Sequence, residues 1–197
     1  MATVKESIDA FIAEVNEEIQ WKYLKSSRTL KKKIGDVVFE IEFYSSKYNG
    51  MDTQIEIRSE CRVWCSYGMI AFFPFLENWD YWWDITSLSQ RQQIKRELVM
   101  EIKQKVLSVV SVLQDNFVKG AMAIVTKDSF DRFSSGLQFI DEYVGREQAI
   151  ELAKSYVDKF SSVDRMQAKS YLNGNDDLCN EYNLKYLIDN KLAVIEL

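Results

Sequence analysis

The sequence predicts an α+β fold: an antiparallel β-meander of about four strands, packed by an N-terminal helix and a long central helix, with a helical C-terminal third. Three observations carry this. Apolar residues recur at helical spacing through Val4, Ile8, Phe11, Ile12, Val15 and Ile19. Alternation with period two then takes over, most plainly through Ile55, Ile57, Ser59, Cys61, Val63 and Cys65. A second helical stripe runs through Ile94, Leu98, Ile102, Val106, Val110, Leu113 and Phe117.

The first helix is expected over about residues 4–21, opened by a capping box in which Thr3 and Glu6 satisfy each other's backbone donors. Gly35-Asp36 suits a two-residue hairpin turn, because glycine tolerates positive φ at the first central position. That turn sets the register: Ile34 opposite Val37, Lys32 opposite Phe39, Lys31 opposite Glu40 and Leu30 opposite Ile41. Lys32 thereby falls on the apolar face, which is expected to place this first strand at a sheet edge, where a lysine reaches solvent. A salt-laced strand follows over 55–65, with Glu56, Arg58, Glu60 and Arg62 outward. Tyr67-Gly68 turns it into a fourth strand that Pro74 ends. Ser87 opens the long helix and Gly120 interrupts it. Weaker helical patterns cover about 121–133, 146–160, 162–172 and 177–188, with Gly136, Gly145 and Asn173-Gly174 as punctuation. The end of the chain, from Leu192, reads as a short strand or a docked tail. A soft seam near residue 86 divides a β-rich part, 1–85, from a mainly helical part, 86–197, and one domain is expected over 1–197.

Composition narrows the chemistry. Apolar residues make up 47% of 197 and the net charge is −5, so a sizeable core is expected and nucleic acid feels no global attraction. No apolar run approaches the roughly 20 residues of a membrane span. The first residues lack a signal-peptide core, and three cysteines, Cys61, Cys65 and Cys179, suit reduced thiols; a cytoplasmic location is expected. The chain has no histidine. That removes histidine triads, histidine bases and imidazole metal sites. On a strand Cys61 and Cys65 stand roughly 13 Å apart, too far to share one zinc or to form a disulfide. No catalytic residue, metal or cofactor is assigned.

Two segments invite a binding role. Trp79, Tyr81, Trp82 and Trp83 place three of the five tryptophans within five positions. They read either as a plug packed on the sheet or as a recognition surface for a protein or small ligand. Adjacent rings point oppositely on a strand, so one of Trp82 and Trp83 is expected inside and the other accessible. Lys22, Lys25, Arg28, Lys31, Lys32 and Lys33 form a basic run without an acid inside it. This run reads as a solvated corner guarding an edge, or as a site for phosphate or RNA.

The segment from Leu30 through the Gly35-Asp36 turn to Ser45-Ser46-Lys47-Tyr48-Asn49, followed by Trp82-Trp83-Asp84-Ile85, resembles a family of uncharacterised bacterial domains of unknown function. The likeness covers about residues 20–115. It implies an α+β fold and supplies no catalytic residue.

A non-enzymatic binding protein is therefore the expectation, of which a bacterial toxin-immunity or defence accessory role is one instance. An enzyme built from dispersed carboxylate, lysine and tyrosine groups is the alternative, and phosphate or RNA binding through Lys22–Lys33 a further one. A deep pocket lined by buried acids would favour the enzyme; an open aromatic face would favour the binder.

Overall fold

Helical periodicity at the start of the chain produces α1, Val4–Ile19, with the capping box in place: Glu6 N–H donates to Thr3 Oγ1 at 3.2 Å and Thr3 N–H to Glu6 Oε2 at 2.8 Å. The computed structural model describes residues 3–50, 54–76, 82–126, 134–175 and 181–195. Ile8, Phe11, Ile12 and Val15 lose all solvent contact, a burial that stabilises by about 1.5–3 kcal/mol per side chain. The helix ends at Gln20, which turns left-handed at φ 57°.

Among the described residues six strands follow: β1 (Lys22–Leu24), β2 (Thr29–Ile34), β3 (Val37–Ser45), β4 (Glu56–Cys65), β5 (Gly68–Pro74) and β6 (Trp83–Asp84). Their order is β1-β2-β3-β4-β5, with β6 also paired to β4. The β2–β3 register is the one the turn predicts, from Ile34 opposite Val37 to Leu30 opposite Ile41. Gly35 sits at φ +56°, and a Cβ there would meet nothing within 4 Å. Gly35→Val should therefore destabilise through backbone strain alone, by about 1–3 kcal/mol in chemical unfolding. A midpoint equal to the wild type's would show that the turn does not need glycine.

One expectation fails at this edge. β2 is not the first strand, because β1 pairs along its outer side, with Lys22 opposite Lys31 and Leu24 opposite Thr29. Three residues within a basic run are too few to show alternation. The edge lysine is Lys22, which is exposed, while Lys32 remains half-buried on the apolar face.

The chain groups into two compact units, residues 1–63 with 73–111, and residues 64–72 with 112–197, so β4 and β5 contribute to both. In the first unit, the inward positions Val37, Phe39, Ile41, Ile57, Cys61 and Val63 are fully buried. Trp21, just past α1, meets Phe39 edge to face at 6.1 Å. α2 (Leu88–Glu101) lies along α1, tied by Arg91 to Glu14 at 2.5 Å, with Lys95–Glu17 at 3.6 Å. The helix continues through a π turn, Ile102–Leu107, into α3, Ser108–Asp115.

Among the described residues, the regular structure of the second unit is helical apart from its share of β4 and β5. It holds α4 (Phe117–Thr126), α5 (Gly136–Tyr143), α6 (Arg146–Val157), α7 (Ser162–Leu172) and α8 (Tyr182–Asp189). The long stripe stops at Asp115, so Phe117 begins a new helix. Gly136 corrects another expectation. It is the first residue of α5 and not a break, and it is small because a Cβ would stand 2.8 Å from Val125 Cγ1 and 3.2 Å from the Ile70 carbonyl. Asn183, fully buried, accepts the Leu137 N–H at 3.0 Å and donates to Ser134 Oγ at 2.8 Å, which closes the start of α5. Leu192 docks at 2% exposure, and residues 192–195 form no strand.

Candidate functional site

Alternation puts every second residue of β3 and β4 on the face opposite α1. Of these outward positions Glu40, Glu42, Tyr44, Arg58 and Arg62 keep part of their solvent contact, while Glu60 is buried. β6 adds to that face. Its register sets Trp83 opposite Ile57 and Asp84 opposite Glu56. Trp83 therefore shares the inward side of Ile57 and is 4% exposed. Trp82 falls on the outward side, across from Arg58.

The result is a guanidinium held between two rings. The Arg58 Cζ lies 5.0 Å from the Tyr44 ring centroid and 5.2 Å from that of Trp82. Stacking of this kind contributes about 0.5–2 kcal/mol per ring, more where water is excluded. It also fixes a side chain that otherwise carries about 2 kcal/mol of rotamer entropy.

A polar network continues along the strands from Tyr44. Its hydroxyl lies within hydrogen-bond reach of Glu42 Oε2 and donates to Glu60 Oε1 at 2.9 Å. A phenol has one hydrogen, so the two carboxylates share it. Burial, then the hydrogen bonds to Glu42 and Glu60, push the Tyr44 hydroxyl well above its usual range, and it stays protonated. Arg62 closes the network, donating to Glu60 Oε1 through Nε at 2.8 Å and Nη2 at 2.7 Å, with Glu42 Oε2 at 3.7 Å. Burial works against the Arg62 charge, but Glu60, Tyr44 and Glu42 together outweigh it and raise its pKa.

Glu60 corrects the sequence reading. Its outward position promised solvent, yet its side chain is only 8% exposed, because Tyr44 and Arg62 close over it. The alternation alone reads Glu56, Arg58, Glu60 and Arg62 as a salt-laced outer face and gives no sign that one of them is buried. The available signal was Tyr44, an aromatic on the polar side of a strand, next to an arginine-carboxylate alternation.

The aromatic candidates separate. Trp82 belongs to the network, Trp83 belongs to the core, and Trp79 and Tyr81 lie outside the described residues. No protein-family model, curated protein or solved structure matches the chain. The site must be judged on its own chemistry.

The basic run is largely engaged within the protein. Lys31 Nζ contacts Glu40 at 2.7 Å. Lys25 and Arg28 each lie 3.8 Å from Asp9, which also accepts the Tyr23 hydroxyl at 3.2 Å. Burial, with the Asp9 charge beside it, pushes Tyr23 up to about 12. Lys22 and Lys33 are exposed on the outward face, on neighbouring strands, with Lys22 opposite Lys31 and Lys33 two residues farther along β2.

On β4, Cys61 is buried on the inward face and Cys65 is half-buried; Cys179 lies outside the described residues. Cys65 is thus less protected than the alternation implies. Burial raises the Cys61 thiol far above its usual range, which leaves it protonated and slow to react. In the second unit, a groove of about 590 Å³ runs along Tyr171, Gly174, Lys185 and Asp189, where Tyr171 donates to Asp189 at 2.8 Å.

Proposed function

We propose that this protein is a non-enzymatic binding protein that recognises a protein partner through the outward face of β3, β4 and the β6 step, centred on Arg58. The observation that carries this reading is the Arg58 guanidinium stacked between Tyr44 and Trp82 beside the Glu42–Tyr44–Glu60–Arg62 network. Trp, Tyr and Arg dominate binding hot spots because they bring large contact area and directional donors. Here the rings and ion pairs already hold them in place, so little ordering entropy is lost on association.

The charge pattern supports a partner of matching mosaic. Glu40, Glu42, Glu56 and Glu60 alternate with Lys31, Arg58 and Arg62 across a few strand positions. Such a face selects by register rather than by net sign. Acid-base chemistry has less support: Glu60, the best-buried carboxylate of the face, is already engaged by Arg62 and Tyr44. Phosphate or RNA binding has less support too, since Lys25, Arg28 and Lys31 are paired with acids of the same unit.

The test is comparative capture followed by titration of the captured partner. Truncating a hot-spot residue costs about 2 kcal/mol or more, so Trp82→Ala or Arg58→Met should weaken the partner about thirtyfold. Lys22→Glu and Lys33→Glu should change affinity little. A partner that ignores Trp82 and Arg58 but is lost with the lysines would move recognition to the basic run.

A further inference from the structure

Tyr23, Tyr44, Tyr67, Tyr171 and Tyr186 each donate a hydroxyl hydrogen to a carboxylate. Beside four of these pairs stands a cation of the same unit. Asp9, which accepts Tyr23, meets Lys25 and Arg28. Glu60, which accepts Tyr44, pairs with Arg62, and Arg58 covers the Tyr44 ring. Asp141 accepts Tyr186 at 3.0 Å and pairs with Arg146. Lys185 Nζ stands 5.8 Å from the Tyr171 ring, whose hydroxyl holds Asp189.

The fifth pair is open. Tyr67, in the turn between β4 and β5, donates to Glu142 Oε2 on α5, and Gln138 Nε2 donates to Oε1 at 3.0 Å. Both donors are neutral. Among the described residues no lysine or arginine pairs with Glu142 or covers the Tyr67 ring. The hydrogen bond from Tyr67, then that from Gln138, holds the Glu142 carboxyl below its usual range, so an exposed side chain keeps its charge. Each oxygen has accepted one hydrogen and still has a lone pair to offer. Rings lie alongside: Tyr67 meets Tyr143 edge to face at 6.0 Å, and Tyr143 meets Phe117 at 6.2 Å. Tyr67 and Phe117 are 40% and 37% exposed, and Val118, next to Phe117, is 46% exposed.

We propose that Glu142, Tyr67, Tyr143 and Phe117 form a second docking surface, and that it receives an arginine side chain of a partner protein. The chemistry is that of the Tyr44–Glu60 pair, with the cation supplied from outside. A guanidinium lays its face on the Tyr67 ring and turns two N–H groups toward the two oxygens of a carboxylate already held in place. A lysine ammonium has no such fork. The apolar stem of the arginine suits the exposed Phe117 and Val118. This surface belongs wholly to the second unit and does not depend on the Arg58 face.

The test titrates short peptides into the full chain, centred on arginine, lysine, leucine or citrulline, the neutral counterpart of arginine. NMR follows the Gln138 side-chain amide and the Tyr143 ring. The arginine peptide should give saturable shifts at millimolar concentration, the lysine peptide weaker ones, and the citrulline and leucine peptides none. Glu142→Gln keeps the side-chain shape and should weaken the arginine peptide about tenfold, the loss of one charge-assisted contact. Tyr67→Leu should weaken it by a similar factor, since the ring face goes with the hydroxyl. A leucine or citrulline peptide that binds as well as arginine would overturn the proposal and leave an apolar face. Equal binding of lysine would overturn the arginine assignment. Arginine binding indifferent to both substitutions, or no shift at all, would place any such contact away from Glu142 and Tyr67.

Discussion

Trp83→Ala should cost about 3–5 kcal/mol of stability, the range for large aromatic truncation in a core, while Trp82→Ala, one residue away, should cost about 1 kcal/mol. The difference follows from strand geometry. β6 pairs with β4 so that Trp83 faces inward beside Ile57, and its indole is 4% exposed. Removing it opens a void that the close-packed inward face cannot fully collapse, so the lost transfer energy and the cavity add. Trp82 points to the other side and half-covers Arg58, where water replaces what the ring leaves. Urea unfolding of both variants measures the contrast directly. Equal losses would mean that Trp82 is as much core as Trp83, and the recognition face would lose its aromatic wall.

The strand periodicity that makes this contrast also made much of the fold legible. The β2–β3 register could be read in advance because Gly35 fixed the turn and a one-residue slip would have put Val37, Phe39 and Ile41 into solvent. The capping box at Thr3 and Glu6 was local chemistry and needed no tertiary context. The central stripe held a less obvious hint. Ile94, Leu98, Ile102, Val106 and Val110 recur every four residues, whereas an α-helix turns once in about 3.6, so such a stripe drifts around the axis. The wider π turn at Ile102–Leu107 falls within that run and keeps Ile102, Val106 and Val110 buried. What stayed hidden was short or long-range. β1 and β6 have three and two residues, too few for any period. The Arg58 stack draws on positions 44, 58 and 82, which only the pairing of distant strands brings together.

Gly120 shows the same limit at a single residue, and it carries the second large prediction. In sequence it interrupts an apolar helical stripe, and glycine inside a helix is ordinarily worth replacing: alanine there gains about 1 kcal/mol. The structure reverses the sign. Asn116 ends one helix and starts the next, accepting the Lys119 N–H on its side chain at 3.0 Å, so α3 and α4 meet at a sharp bend. At that bend a Cβ on residue 120 would stand 2.2 Å from the Leu113 Cα and 2.6 Å from its nitrogen. Carbon atoms pack at about 3.5–4.0 Å, and here the obstacle is backbone, which cannot swing aside as a side-chain tip does. Gly120→Ala should therefore destabilise by about 3 kcal/mol, the upper end of ordinary overpacking. In a chain of this length that corresponds to a fall of about 6–12 °C in the unfolding midpoint. Calorimetry or thermal circular dichroism reads it. An alanine variant at or above the wild-type midpoint would mean that α3 and α4 do not approach as closely as Leu113 and Gly120 require, and that the glycine is there for helix breaking alone.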